Sequence, residues 1–380
     1  MSREVETEVC VIGGGVMGAF TALALAEANV GVILVERQYP GAGASGANPG
    51  TVAVQNKHFG ALPLVLESIR RWQGLSERLG EEVDYERRGG FRVAETDADV
   101  EKLERDVAEQ RAAGVETEIV ARSRLEREAK FLGPSVQAAS YCADDGLADS
   151  LKTIRALLRR LRELGVEVWN GCRVSRIDAV ADHDFRVATD QGTVRTRWTV
   201  CAAAAWTPEL LTPLGVELPL HPEVMMASIT DQAPPIFFPV LTHVRGRLTL
   251  KQQRVSGKVL IGGGWHGDHE PATGRHRVNV DNLKVNLLLA ASIVPALAGL
   301  QVIRAWSGVE ARSPDRLLVI GPVDSPRGLF VLCAAAGGFT VSPFAGELAA
   351  RWIVSGDPKW PVERYHVGRF NGVQQTVPAS

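Results

Sequence analysis

Residues 8–20 read EVCVIGGGVMGAF. A strand is expected over 7–12, then a glycine turn, a helix over about 16–28 and a second strand over 31–36. Gly13, Gly15 and Gly18 stand at the G-x-G-x-x-G spacing, with Gly14, Val16 and Met17 inside the run. In such a run the first glycine permits a tight turn and the second lets a pyrophosphate approach the backbone. The third lets helix and strand pack closely. The helix N-terminus adds free N–H groups and a dipole that favours phosphate. Glu36 ends the second strand, where a carboxylate can take ribose hydroxyls. A dinucleotide fold is expected, rather than a tight turn that is merely glycine-rich.

The segment after Glu36 selects the nucleotide. An NAD domain would continue with another regular strand–helix unit. Here Glu36–Arg37 leads into GAGASGANPG, residues 41–50, dense in small residues. Such a segment lets backbone N–H groups and the Ser45 hydroxyl lie along a long cofactor. Near the other end, CAAAGGFTVSPFAGE (333–347) again brings bare backbone to a helix start, at Gly337, Gly338 and Phe339. Two backbone platforms about 290 residues apart suit FAD stretched across the domain.

The 380 residues suffice for one large domain or two intertwined ones. Hydrophobic and charged shares of 45% and 23% are those of a globular protein, and a net charge of -2 gives no electrostatic case for nucleic acid or an anionic membrane. Cys10, Cys142, Cys172, Cys201 and Cys333 form no C-x-x-C pair, which argues against a disulfide framework, an iron–sulfur cluster or a zinc site in this chain. The start lacks a charged-then-apolar leader, and the apolar run 287–300 contains Pro295 and is too short to span a bilayer. The cytoplasm is therefore the expected location, with membrane association through partners as the alternative. Arg155–Arg162 falls on a helical pattern whose Leu151, Ile154, Leu157, Leu158 and Leu161 are expected inward, leaving the arginines solvated.

Further helical patterns lie near 61–79, 98–113, 150–164 and 280–298, with a last helix from about 343 to 354. Short strands occupy 90–95, most of 167–201, and several runs between 216 and 311. The expected class is α/β: a Rossmann-like, discontinuous FAD domain of residues 1–80, 145–215 and 313–380. A mixed-sheet substrate domain of 81–144 and 216–312 interrupts it.

The chain resembles the FAD-dependent D-amino acid oxidase superfamily, in its glycine oxidase and sarcosine oxidase branch, with the fold of glutathione-reductase-2-type flavoproteins. The resemblance rests on VIGGGVMG, ERQYPGAGASGANPG, DGLADSLKTIRALLRRLRELGVEVWNGCRV, CAAAAWTPELLTPLGVELPLHP, GKVLIGGG, WSGVEARSPDRLLVIGP and AAAGGFTVSPFAGELAARWI, spread over nearly the whole chain. It implies that Gly13, Gly14, Gly15, Val16, Met17, Gly18, Glu36 and Arg37 hold the ADP half. Ser45, Asn48, Gly50 and Thr51 would line pyrophosphate and flavin, with Ala203 and Gly308 in the same cofactor set. Val174 would bond adenine through its backbone, and Gly337, Gly338, Phe339 and Thr340 would meet the flavin. GASGANPGTVAVQNK and GKVLIGGGW look most like the β subunits of bacterial heteromeric dehydrogenases acting on opines, D-hydroxyproline and similar secondary amines. That likeness implies partner subunits carrying further redox centres. One departure stands out: a turn that commonly reads Ala-Ala-Gly-Ala-Trp is here Ala202–Trp206 with alanine throughout, so its backbone is expected to differ slightly. No histidine stands where some relatives anchor flavin covalently, so non-covalent FAD is expected.

Flavin chemistry needs no Ser–His–Asp or paired-carboxylate constellation, because the cofactor carries the reaction and the protein aligns, polarises and excludes water. Lys251 and Gln253 alternate along a strand and would share a face, either lining the substrate cavity or facing solvent. Lys57 and His58 follow the flavin loop and either reach the cavity or, as favoured, form the surface before a helix; His266 and His269 resemble metal ligands but read rather as an exposed loop. Within WSGVEARSPD (306–315), glycine-oxidase-like relatives commonly carry a carboxylate-binding arginine where this chain has Glu310, with Arg312 two residues on. Either the two side chains pair with each other, or Glu310 lines the cavity and selects substrates with a cationic or donor group. The reaction expected is oxidation of the C–N bond of an amino acid or secondary amine to an imine. A 2-hydroxy acid dehydrogenase, a simple glycine- or sarcosine-type oxidase and a non-catalytic flavin subunit remain the alternatives.

Overall fold

The structure is a computed structural model that describes residues 3–270, 273–333 and 337–371. Its first large sheet is built on five parallel strands. Glu4–Ile12 lies between Val32–Val35 and Gly192–Cys201; Glu167–Trp169 flanks Val32–Val35, and Leu329–Cys333 pairs with the end of Gly192–Cys201. The start of Gly192–Cys201 instead forms a hairpin with Asp184–Thr189, so one long strand serves two neighbours in turn. Val9, Val11 and Leu34 face one core, whereas Cys10, Ile12, Ile33 and Val35 face the other, as strand alternation requires. Both faces are covered, which explains unbroken apolar runs such as VILV.

Helices Val16–Glu27, Ser150–Glu163 and Gly338–Ser355 cover one face. A Cβ at Gly346 would lie 2.6 Å from the Phe20 backbone, so glycine there is what lets the first and last helices touch. The last helix starts five residues earlier than the sequence pattern suggests and carries Pro343 inside it. Proline cannot donate to the Phe339 carbonyl one turn back, and the Ser342 hydroxyl takes that acceptor at 2.9 Å. The pattern over 61–79 is likewise two helices, Leu62–Gln73 and Leu75–Leu79, separated at Gly74. Leu151, expected inward, is 65% exposed because it occupies the first helical turn beyond the edge of the core.

A second eight-stranded sheet runs in the order 302–312, 221–232, 258–262, 249–252, 240–243, 90–94, 138–142, 117–121. Helix Val280–Ile293 seals one side of its core. The strands of this sheet come from the two stretches 90–142 and 221–312, while those of the first come from 4–35, 167–201 and 319–333. Strand Val302–Arg312 is an edge that lies against the small helix Ala44–Ala47, and Trp306 Nε1 donates to the Ala47 carbonyl at 2.8 Å. That contact brings Glu310 to the glycine loops. Among the described residues, no helix is long and apolar enough to cross a membrane.

Candidate functional site: an elongated cleft beside a buried charge cluster

Strand Glu4–Ile12 delivers the chain into Gly13 at φ 110°, and a Cβ there would fall 2.5 Å from the Ala202 carbonyl oxygen. A Cβ at Gly18 would sit 2.0 Å from the Gly13 oxygen, so this glycine serves close packing of helix on loop. Gly15 caps helix Val16–Glu27 without a side chain of its own, and the Val16 N–H donates to Ser45 Oγ at 3.0 Å. Glu36 spans the loop: its carboxylate accepts the Gly14 N–H at 2.8 Å and the Gln38 N–H at 2.9 Å. The Arg37 guanidinium stacks 3.7 Å from the Trp206 ring centroid. Around these groups runs a cleft lined by Gly13, Gly15, Glu36, Arg37, Val174 and Ala203. Its continuation shares Gly15 and Ser45 and is lined by Val16, Met17, Asn48, Glu310, Gly338 and Phe339.

A long cleft with bare glycine backbone and an uncapped helix start at one end, and a second helix start at the other, fits FAD. Further residues of the expected set shape the cleft, Asn48 from its lining and the others from behind it. Asn48 Oδ1 accepts the Gly50 N–H at 2.7 Å, and a Cβ at Gly50 would meet the Ala148 oxygen at 2.0 Å. The Thr51 carbonyl accepts the Thr340 hydroxyl at 3.1 Å, tying the two loop regions together. A Cβ at Gly308 would strike the Ala47 Cβ at 2.5 Å, so this glycine lets its strand lie on helix Ala44–Ala47. Ala204 takes φ 50°, so the all-alanine turn keeps a left-handed conformation at the position where relatives carry glycine.

Beside the Gly338 end of the cleft sits a cluster of buried and half-buried charges. Lys251 is 1% exposed and donates to the Thr51 hydroxyl, which makes it part of the wall behind the cleft. Burial, then the neighbouring Lys57, lowers its pKa to about 7. Lys57, read from sequence as surface, turns inward along Gly337, where a Cβ would lie 3.0 Å from its Cδ. Burial lowers Lys57 to about 8, against the opposing pull of Asp145 and Glu310. Wholly buried Asp145 fixes the segment that carries Lys57, accepting the Val54 N–H and the Gln55 amide at 2.6 and 2.9 Å. Gln55 in turn accepts from the Ser140 hydroxyl at 2.5 Å and donates to the Gly90 carbonyl at 3.0 Å. His58 stays exposed and caps the short turn that follows, as expected of a surface residue.

Glu310 keeps 32% of its side-chain surface open, although the surrounding protein is dense enough that desolvation raises its pKa. The opening is the cleft itself, of which Glu310 forms part of the lining. Arg312 lies 4.0 Å from Glu310 but makes its close ion pair with Glu223 on the adjacent strand. Gln253 does not join the site. Its strand ends at Gln252, and Gln253 instead closes a turn, donating from its backbone to the Lys258 carbonyl at 2.8 Å and accepting from the Ser256 hydroxyl at 2.7 Å. Sequence reasoning weighed a reach of Lys57 into the cavity but favoured a surface place for it, and it missed Asp145 and Glu223. Proximity to the small-residue loop was the one available signal, and it pointed to Lys57 alone.

Fold and cleft together define a dinucleotide-binding flavoprotein of the doubly wound type. The family model described as DAO, FAD dependent oxidoreductase, matches residues 8–352, and the chain belongs to that family of FAD-dependent enzymes. Glycine oxidase of Geobacillus kaustophilus is 26% identical over 96% of this chain and 97% of its own length. The crystal structure of glycine oxidase from Geobacillus kaustophilus superposes with a TM-score of 0.88 at 23% identity, covering 96% of this chain and 99% of that one. An opine oxidase subunit of Rhizobium meliloti is 24% identical over 97% of this chain and 99% of its own. Mitochondrial dimethylglycine dehydrogenase of Mus musculus is 24% identical over 96% of this chain, which spans only 44% of that longer protein.

Proposed function

We propose that this chain oxidises the C–N bond of an amino acid or secondary amine to an imine, as the flavin-bearing subunit of a heteromeric dehydrogenase. FAD, held in this cleft, would supply the acceptor for a hydride from the C–H bond next to nitrogen. The chain's own residues do the rest. The Gly15–Ser45 cradle holds the phosphates, Lys251 and Thr51 brace the flavin end, and Lys57 and Glu310 set the charge of the substrate space. The observation that carries the reading is Glu310, a carboxylate lining the cleft and near enough to Lys57 for the two charges to attract. A carboxylate beside the reacting carbon favours a substrate with a cationic or donor group, and Lys57 supplies the complementary charge for a substrate carboxylate. An opine or D-hydroxyproline-type imino acid carries both. The full-length likeness to a protein named as an opine oxidase subunit supports this substrate class and a partnered assembly. Non-covalent attachment is part of the reading. The thiol that lines the cleft, Cys172, sits beside Val174 at the adenine end and is held protonated by burial.

An anaerobic reduction screen tests this reading. Opines, D-hydroxyproline, N-methyl amino acids, D-amino acids and 2-hydroxy acids are added to the holoprotein, and bleaching of the flavin is followed. Bleaching by secondary amines is expected, with release of amine and oxo acid from open-chain substrates and of a cyclic imine from D-hydroxyproline. Bleaching by 2-hydroxy acids alone would favour C–O oxidation, and none at all would favour a non-catalytic flavin subunit.

A further inference from the structure

A buried carboxylate stands behind the turn that carries Lys57. Asp145 is 1% exposed; its Oδ1 accepts the Val54 N–H at 2.6 Å and its Oδ2 the Gln55 side-chain amide at 2.9 Å. The Lys57 N–H donates to the Val54 carbonyl at 3.1 Å, so the residue that Asp145 holds also closes the turn at Lys57. Gly90 leaves room for this carboxylate, because a Cβ there would lie 2.5 Å from Oδ2. The Gln55 carbonyl accepts from the Gln110 side chain at 2.9 Å, which ties the turn to helix Asp97–Ala112 as well. A neutral amide could also accept the Val54 N–H, and it would escape the desolvation that raises the Asp145 pKa. The charge therefore calls for a cation. Two face it: Arg92, which has its own partner in Asp106 at 2.8 Å, and Lys57. Tyr85 and Cys142 also lie beside Asp145, and burial pushes both up to about 12. The charges around Lys57 are Asp145, Glu310 and Lys251.

We propose that Asp145 is a positioning residue for Lys57: it fixes the turn from which the ammonium runs along Gly337, and it supplies the negative charge that keeps Lys57 cationic for a substrate carboxylate. The inference rests on the carboxylate-binding role given to Lys57 above. Burial takes Lys57 down to about 8, and Asp145 is the larger of the two opposing pulls, ahead of Glu310. Among the described residues the two groups form no direct ion pair, so the carboxylate acts through poorly solvated protein rather than by contact. Without its pull the ammonium would lose its proton at a lower pH, and a neutral amine gives a carboxylate no charge to pair with. Glu310 cannot take over this task. It lines the cleft, where its charge is offered to the cationic group of the substrate. Asp145 is shut away from the cleft and keeps its charge for Lys57 whether the cleft is filled or not.

Binding of tetrahydrofuran-2-carboxylate to the holoprotein tests this. The probe has the ring and carboxylate of a proline-type acid but no amine, and its carboxyl stays ionised from about pH 6 to about pH 10. Binding is read from the flavin absorption spectrum, so no turnover is needed. In the wild type, affinity should fall about tenfold per pH unit above a break at about 8. Lys57→Arg should bind the probe with no break, because a guanidinium keeps its proton throughout. Asp145→Asn should move the break down by about one pH unit or more and weaken binding about tenfold at about pH 8. Adding Lys57→Arg to Asp145→Asn should restore affinity there, whereas a purely structural Asp145 would give no such rescue. Where Asp145→Asn alone fails to fold, the double variant Asp145→Asn, Lys57→Met should fold, because the uncompensated cation is gone. A double variant that fails as well, a break that Asp145→Asn leaves unmoved, or a break that persists in Lys57→Arg would each overturn the inference. A flavin that no amine reduces, with the break and its shift in place, would count against the amine reading alone and leave Asp145 its role.

Discussion

The buried Lys251 ammonium donates to the Thr51 hydroxyl, joining a strand of the second sheet to the loop that follows the Ser45 turn. Among the described residues this cation has no facing carboxylate of its own, and the cost of its burial shows in its lowered pKa of about 7. Because the unfolded chain holds that proton more tightly than the folded one, stability rises with pH between about 7 and about 10. Lys251→Met should therefore stabilise the protein at pH 6 by an amount on the order of a few kcal/mol, shrinking toward zero at pH 10. Chemical denaturation at the two pH values checks this. A gain independent of pH would contradict it.

Gly15→Val should abolish flavin retention, because a branched side chain would enter the space between the helix start and Ser45, where a Cβ already lies 3.0 Å from Oγ. The purified variant should be colourless while keeping the wild-type far-UV signature. Full FAD occupancy in that variant would refute the cradle.

Acid precipitation of the wild type should leave a white pellet and a supernatant containing FAD, not FMN. A pellet that stays yellow would show a covalent bond. The isolated chain should also form peroxide slowly while reducing an artificial acceptor well, since the proposal hands its electrons to a partner subunit.

Ala204 holds φ 50° in the turn before Trp206. Glycine carries no penalty there, so Ala204→Gly should raise stability by about 1 kcal/mol without loss of flavin. Thermal unfolding of the holoprotein measures it, and a destabilised variant would show that the Ala204 methyl is needed for packing.

The glycine run was legible in sequence because its constraints are local: a positive φ at Gly13 and close approaches at Gly13 and Gly18 admit no side chain. Glu310 stood out because a recognisable strand motif carries it past the cleft. Lys57 was legible only as the less favoured of two readings. Its inward turn is dictated by Gly337, which comes from the far end of the chain, and by Asp145, which fixes its loop from a third segment. Gln253 was misplaced because alternation says which face a residue shares but not where the strand stops, and the hairpin at Gly257 ends this one at Gln252. The Glu223–Arg312 pair depends on strand register, which no single stretch of sequence reveals.

The most direct test of the account compares wild type and Glu310→Gln in anaerobic flavin reduction by the best cationic or secondary-amine substrate. Removing this charge should cost about 2–5 kcal/mol in catalytic efficiency, with FAD affinity nearly unchanged. Unchanged efficiency in the variant, or a best substrate that proves to be glycine or sarcosine, would contradict the account.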